Sequence, residues 1–232
     1  MSNPSDPKRV AGRRAADMVS SGTVVGLGTG STVFHTLVRL AERIASEGLE
    51  IRGVPTSTDT EGKAREMGIP LATLNDVETI DLTIDGADEA DPAFCLTKGG
   101  GGALLREKVV AYSSRKVVIV LTGSKRVERL GDTFALPVEV VPFALPMVAR
   151  EITKLGAEPV ERRSNGGQSY RTDNGCAILD CRFRGGIQDP AAMEQALDRI
   201  PGLVETGLFC GLAHTLVVGA ESGEAEVIQR GA

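Results

Sequence analysis

The stretch "TVVGLGTGSTVFHTLVRLAERIASEG", Thr23–Gly48, sets two patterns back to back. "TVVGLG" is a compact, β-branched run of strand type. After the glycines, Val33, Leu37, Leu40, Ala41 and Ile44 recur at helical spacing, and Gly48 stops the run. A buried strand joined to an amphipathic helix by a glycine loop is half of a βαβ unit. The rhythm extends on both sides. A helix begins near Pro7, "IRGVPT" is a second strand, "DTEGKAREMG" is a short helix closed by Gly68, and "IDLTIDG" and "KVVIVL" are further strands. This alternation predicts an α/β fold with a Rossmann-like, mostly parallel sheet flanked by helices.

After Gly131 the rhythm changes. "FALPVEVVP" reads as a strand, "PMVAREITKLG" as a helix, and "SYRTDNGCAILDCRF" as a hairpin turning at Asp173-Asn174-Gly175. "DPAAMEQALDRI" adds a helix with an Asp189 cap and Pro190 in its first turn. We therefore expect a smaller α+β (ferredoxin-like) domain over 132–206. The Rossmann-like domain would be 1–131 plus 207–232, with the strands of "ETGLFCGLAHTLVVGA" returning to it.

Composition narrows the function classes. Aromatics are 3% and Trp is absent, which removes stacking platforms for single-stranded nucleic acid. A net charge of −5 offers no general grip on DNA or RNA, although a few lysines and backbone amides suffice for a small anion. Cys95, Cys176, Cys181 and Cys210 include no Cys-x-x-Cys pair, and there are two histidines, so no zinc site is expected. Cys95, Cys181 and Cys210 lie in apolar runs and read as buried free thiols. "MSNPSDPKRV" has no apolar core of the kind a signal peptide needs, and no window is apolar enough to span a membrane. A reducing, cytoplasmic setting fits.

Three strand ends carry chemistry. "GLGTGST", Gly26–Thr32, reads as an anion cradle, where glycines admit a ligand and a helix N-terminus presents free N–H groups. A tight turn with Ser31 as N-cap is the plainer reading. A dinucleotide site is the third, but Ser31 or Val33 stands where the last glycine of that fingerprint belongs. "TIDGADEAD" places Asp85 and Asp88 where the chain leaves the sheet, suited to polyol hydroxyls or to magnesium, or simply to a turn. Glu89 and Asp91 read as facing solvent.

"TKGGGGALLREK", Thr97–Lys108, has four consecutive glycines between Lys98 and a helical run holding Glu107. We expect a second cradle on the same sheet edge, with Lys98 able to stabilise an oxyanion. Glu107 either faces that cradle or belongs to an exposed charged face. "TGSK" puts Lys125 at a third strand end, as a phosphate clamp or a solvated lysine. His35 reads as structural and His214 as a satisfied core residue.

Together "GLGTGST", "DGADE", "KGGGGALLREK", "TGSK", "LPVEVVP" and "IPGLVETGLF" resemble the type A ribose-5-phosphate isomerases, in family order along nearly the whole chain. The resemblance implies interconversion of D-ribose 5-phosphate and D-ribulose 5-phosphate in the pentose phosphate pathway, without cofactor or metal. It makes Glu107 the base and puts Asp85, Asp88 and Lys98 in the sugar site. It maps substrate binding onto Thr29, Gly30, Ser31 and Thr32, onto Gly86 and Ala87, onto Gly99, Gly100 and Gly101, and onto Lys125. Lys8 corresponds to an N-terminal phosphate-contacting lysine. Gly102 stands where alanine is frequent, and Thr122 where aspartate is common. The resemblance further implies a homodimer or homotetramer with the small domain in the interface, and no nucleic-acid or membrane partner. Two rivals are a non-catalytic sugar-phosphate sensor and a coenzyme A transferase-like enzyme.

Overall fold

The computed structural model describes residues 5–231, and the chain within it divides into two compact units. One takes in the chain up to Ala87, Arg106–Lys125 and the stretch from Leu212; the other is Asp88–Leu105 with Arg126–Gly211. The strand-helix rhythm places the change at 131. It gives no sign that 88–105 packs with the later residues, because contact across forty residues of chain leaves no local periodicity.

The first unit opens with α1 (Pro7–Ala16), whose N-cap Asp6 accepts from the Lys8 amide at 3.0 Å. There follow β1 (Thr23–Leu27), α2 (Ser31–Glu47), β2 (Ile51–Pro55), α3 (Thr58–Glu66) and β3 (Leu82–Gly86). In chain order come β4 (Glu89–Ala90), β5 (Leu96–Thr97), α4 (Leu104–Tyr112) and β6 (Val117–Thr122). The later elements are β7 (Leu136–Val140), α5 (Leu145–Lys154), β8 (Ala157–Glu161), β9 (Ala177–Phe183), α6 (Pro190–Asp198), β10 (Leu203–Thr206), β11 (Leu208–Phe209), β12 (Thr215–Gly219) and β13 (Ala225–Gln229).

The first unit's sheet has the order β13-β12-β6-β3-β1-β2, parallel throughout except for β13. All five residues of β12 and the first five of β6 are buried, as a strand covered on both faces must be. Helix α2 buries Val33, Leu37 and Leu40, each contributing about 1.5–3 kcal/mol relative to an exposed side chain. β1 continues to β2 on one side, while β3 lies on its other side. Strand order therefore reverses at β1 and β3, and ligands of open α/β sheets sit above the carboxyl ends at such a point.

In the second unit, β7-α5-β8-β9-α6-β10 form an antiparallel sheet ordered β10-β7-β9-β8, the ferredoxin-like arrangement. Leu136, Val138 and Val140 from β7 and Val148 and Ile152 from α5 are buried in its core. Three sequence expectations are corrected here. The turn at 172–176 exists, with the Gly175 amide donating to the Thr172 carbonyl at 2.9 Å, but it makes no hairpin. β9 has β7 and β8 as antiparallel neighbours, and 169–171 is not a strand. The closing strands are shared out: β10 completes the small sheet, β11 joins β5 and β4, and only β12 and β13 enter the parallel sheet. Of the cysteines, which form no disulfide among the described residues, Cys181 is buried, whereas Cys95, Cys176 and Cys210 are half-buried.

Candidate active site

In the first unit the loop after β1 and the end of β3 are fitted to each other. Asp85, 2% exposed, accepts from the Thr29 amide at 3.0 Å and the Gly86 amide at 2.7 Å through Oδ1. A Cβ built on Gly28 would lie 2.2 Å from that oxygen, and one on Gly26 would lie 1.9 Å from Thr83 Oγ1. These two glycines are thus required by the protein's own side chains. Gly30 differs: its φ is +125° and a Cβ there would meet open space. It also occupies the N-cap of α2, where no side chain satisfies the first amides. Ser31 begins the helix instead of capping it, so an anion is offered both free N–H groups and the dipole end.

Thr29 is used internally. Its amide goes to Asp85, and its hydroxyl meets those of Thr56 at 2.8 Å, Ser57 at 2.8 Å and Thr60 at 3.0 Å. Thr60 also donates to the Gly28 carbonyl at 2.9 Å. The hydroxyls of "PTSTDT" thereby brace the cradle from below, a role that no local pattern in the sequence signals. Ser31 is exposed and Thr32 half-buried; Gly86 ends β3 and Ala87 follows it at the same carboxyl edge. β6 ends at Thr122, next to β3, and a single 3-10 turn, Gly123–Lys125, carries the half-buried Lys125 beyond that edge.

Glu107 is 5% exposed, which removes the charged-surface reading of "REK". Its placement follows from α4. The Ile80 amide donates to the Ser113 carbonyl at 3.0 Å, so the end of α4 lies by the start of β3 and the helix runs against the strands. Val110 packs on β1, where a Cβ on Gly26 would come within 2.8 Å of its Cγ1. Glu107 is one turn earlier on the same helical face, nearer the carboxyl edge.

The second unit holds Asp88, Lys98 and the glycines. β5 belongs to its own small sheet with β4 and β11, so this cradle does not share the parallel sheet's edge, contrary to the expectation from sequence. Lys98 is 3% exposed, with Nζ 5.4 Å from the centre of the Phe209 ring. Asp88 Oδ2 accepts from the Gly100 amide at 2.8 Å, and a Cβ on Gly100 would meet Asp88 Oδ1 at 2.7 Å. Gly99 and Gly102 have φ of +102° and +80°, a region that glycine enters without penalty. A Cβ on Gly102 would also lie 2.2 Å from the Tyr170 hydroxyl.

Arg162 carries no motif that marks it in the sequence. Its guanidinium pairs with the Asp180 carboxylate and donates to the Gly99 carbonyl at 2.9 Å and the Gly100 carbonyl at 3.1 Å. Tyr170 lies 5.7 Å from it and donates to the Gly101 carbonyl at 3.3 Å. Glu139, fully buried in β7, accepts from Thr172 at 2.7 Å and Asn174 at 3.1 Å, fixing the turn beyond Tyr170.

Glu89 overturns its solvent-facing reading. It is fully buried and accepts from the amides of Gly131, Thr133 and Phe134 at 2.6–2.9 Å and from the Thr133 and Thr97 hydroxyls. It is a buried carboxylate satisfied by backbone. Asp91 is half-buried, and burial raises its pKa. His214 is exposed, not a core residue; its Nδ1 accepts from the Val117 amide at 3.1 Å. His35 is half-buried, and burial lowers its pKa. Among the described residues no three of His, Cys, Asp and Glu gather as metal ligands, and no helix is long and apolar enough to cross a membrane.

Comparison with known proteins bears on both halves. The family model described as ribose 5-phosphate isomerase A (phosphoriboisomerase A) matches residues 52–223. The ribose-5-phosphate isomerase A of Roseiflexus castenholzii is 49% identical over 95% of this chain and 94% of its own. That of Gloeobacter violaceus is 51% identical over 93% of each. Among solved structures, the ribose 5-phosphate isomerase of Plasmodium falciparum superposes with a TM-score of 0.93 at 37% identity, over 97% of this chain and 98% of its own. A D-ribose-5-phosphate isomerase in complex with phospho-erythronic acid gives 0.93 at 35% identity, over 96% and 97%.

Proposed function

The chain belongs to the ribose 5-phosphate isomerase A family, and from that premise we propose how its residues interconvert D-ribose 5-phosphate and D-ribulose 5-phosphate. The reaction moves a proton between adjacent carbons, one of them bearing the carbonyl, through an enediolate. A single carboxylate can take the proton from one carbon and return it to the other. Glu107 is the carboxylate assigned to this transfer, being almost fully removed from water and one helical turn nearer the carboxyl edge than Val110. Lys98, also buried, stabilises the enediolate oxygen. Asp85 and Asp88 share ring opening and substrate orientation. Each is held by a backbone amide, which fixes its carboxylate in place without a flexible partner.

The observation that carries the phosphate assignment is the uncapped start of α2. Gly30, Ser31 and Thr32 present backbone amides there, with Lys125 beyond the end of β6, two strands from β1, supplying charge. Thr29 orients this loop through its internal bonds. Gly86, Ala87, Gly99, Gly100 and Gly101 supply bare backbone against the sugar. Phosphate binding remote from the reacting carbons helps hold them in a reactive geometry. Phospho-erythronic acid, bound by the solved relative, is a phosphorylated polyol ending in a planar carboxylate. An enediolate carries its charge in a similar plane.

The same reading places the protein in the cytoplasm, in the non-oxidative pentose phosphate pathway, as a homodimer or homotetramer. Phe143 and Val160 support a contact through the smaller unit, being 96% and 66% exposed. The test is turnover of ribose 5-phosphate by purified protein with EDTA present, alongside Glu107→Gln. The wild-type protein should turn over, and the variant should lose about 10²–10⁴-fold in kcat. Binding without turnover would favour a sensor. Near-normal kcat in the variant would remove Glu107 from the mechanism.

A further inference from the structure

Four glycines in succession form a chain segment with little stiffness of its own, so something else must fix its peptide planes. Each trans peptide is planar, with the carbonyl of one residue and the N–H of the next pointing in opposite directions. Holding a carbonyl therefore aims the following amide. The Gly99–Gly100 peptide is held at both ends, its carbonyl by Arg162 at 2.9 Å and its N–H by Asp88 at 2.8 Å. The Gly101–Gly102 peptide is held too, by Tyr170 at its carbonyl and by the Gly99 carbonyl at its N–H, 2.9 Å away.

The Gly100–Gly101 peptide between them is held on one side only. Its carbonyl accepts from Arg162 at 3.1 Å, while the Gly101 N–H makes no hydrogen bond among the described residues. Gly100 and Gly101 are the exposed members of the run. The loop's carbonyls are thus held by protein donors, and of its two exposed glycines Gly101 presents its N–H as a fixed backbone donor.

Arg162 is itself immobilised. Its Nε and Nη2 engage the Asp180 carboxylate side-on, leaving Nη1 for the two carbonyls. The guanidinium fork allows this division; an ammonium group would have to choose between carboxylate and carbonyls. The Tyr170 ring lies against it, and Glu139 secures the turn that follows Tyr170. Arg162 and the glycine loop are about sixty residues apart in sequence, and both lie in the second unit.

We infer that Arg162 is a positioning residue for the isomerisation, fixing the glycine-loop carbonyls so that the Gly101 N–H points at the oxygen that becomes anionic in the enediolate. The inference rests on the reading of this loop as part of the sugar site. It assigns Arg162 no contact with substrate. The interaction it sets up is strongest when charge has developed, so its loss lowers kcat more than it raises KM.

The experiment compares Arg162→Met, Arg162→Lys and Lys98→Met by kcat and KM for ribose 5-phosphate, by inhibition with phospho-erythronic acid, and by thermal melting. For Arg162→Met the expected result is a kcat loss of about 10- to 10²-fold, below or near the effect of deleting one oxyanion donor. KM should change less than about threefold, and inhibition by phospho-erythronic acid should weaken in step with kcat/KM. Arg162→Lys, which keeps the charge, should fall between that variant and wild type. A merely structural role would lower the melting temperature and the active fraction but leave kcat per folded molecule and the inhibition constant unchanged; that outcome overturns the inference. So does wild-type kcat in Arg162→Met. Should Arg162→Met melt below the assay temperature, Arg162→Lys decides by the same two readouts. Lys98→Met tests the premise separately: wild-type kcat there removes the loop from the site, whereas an inactive Lys98→Met beside a fully active Arg162→Met sinks only the present inference.

Discussion

Gly28→Ala isolates the fit between the β1 loop and Asp85. The added methyl would sit 2.2 Å from Asp85 Oδ1, 2.4 Å from its Cγ and 2.5 Å from its Cα. Ordinary carbon contacts begin near 3.4 Å, so side chain and backbone must separate by about 1 Å. Asp85 lies in β3, with β1 and β6 as its two neighbours, and cannot move without straining the sheet. Overpacking of this kind costs about 1–3 kcal/mol. At roughly 2–4 °C per kcal/mol for a chain of this size, the melting temperature should fall by about 2–12 °C. A shift near 1 Å in a substrate-positioning group costs on the order of 10²-fold in rate. The assays are initial rates on ribose 5-phosphate and a thermal melt. Asp85→Ala removes two of the three closest atoms, so adding Gly28→Ala in that background should cost less stability than in wild type. Equal costs in the two backgrounds, or a fully active and equally stable Gly28→Ala, would refute the steric account.

Other perturbations separate binding from architecture. Lys125→Ala should raise KM for ribose 5-phosphate more than it lowers kcat; a variant that still distinguishes ribose from its 5-phosphate as well as wild type does would place the phosphate elsewhere. Glu89→Ala strands the buried Gly131 amide at about 1–3 kcal/mol and takes the acceptor from the part-buried Thr133 and Phe134 amides, so the melting temperature should drop by at least about 2 °C; an unchanged melt would contradict the cradle described for Glu89. His35 has a pKa lowered mainly by burial, so the unfolded chain binds its proton more readily than the native protein. The stability this represents is complete above the unfolded value of about 6.5 and is lost as pH falls below it. His35→Gln should flatten that part of the melting-temperature profile, and an unaltered acid slope would assign it to other groups.

Local rules make much of this protein legible. Helical spacing marks Val33, Leu37 and Leu40 as a buried face, and the Asp189-Pro190 start of α6 follows from capping chemistry alone. The residues proposed for catalysis can be picked out because glycine loops and carboxylates at strand ends lie in short, contiguous motifs. Where the expectations fail, they fail for one reason. Glu89 looks solvent-facing because a charged residue in a turn is ordinarily hydrated; three amides from 131–134 make it a core residue. The hairpin at Asp173-Asn174-Gly175 follows from turn chemistry, but β8 already occupies the edge of β9 that it would have filled.

What the sequence alone determined is the alternation of strand, loop and helix, and with it the glycine-rich strand-to-helix junctions where an anion cradle can form. These depend on residues within a few places of one another. It could not say what each glycine is for. Gly26, Gly28, Gly100 and Gly102 are demanded by Thr83, Asp85, Asp88 and Tyr170, while Gly30 alone among the glycines of the β1 loop combines positive φ with open space. Nor could it find Arg162, which reaches Gly99 and Gly100 across some sixty residues. A side chain's partner at that distance is set by how the chain packs, and packing leaves no period in the sequence from which it could be read.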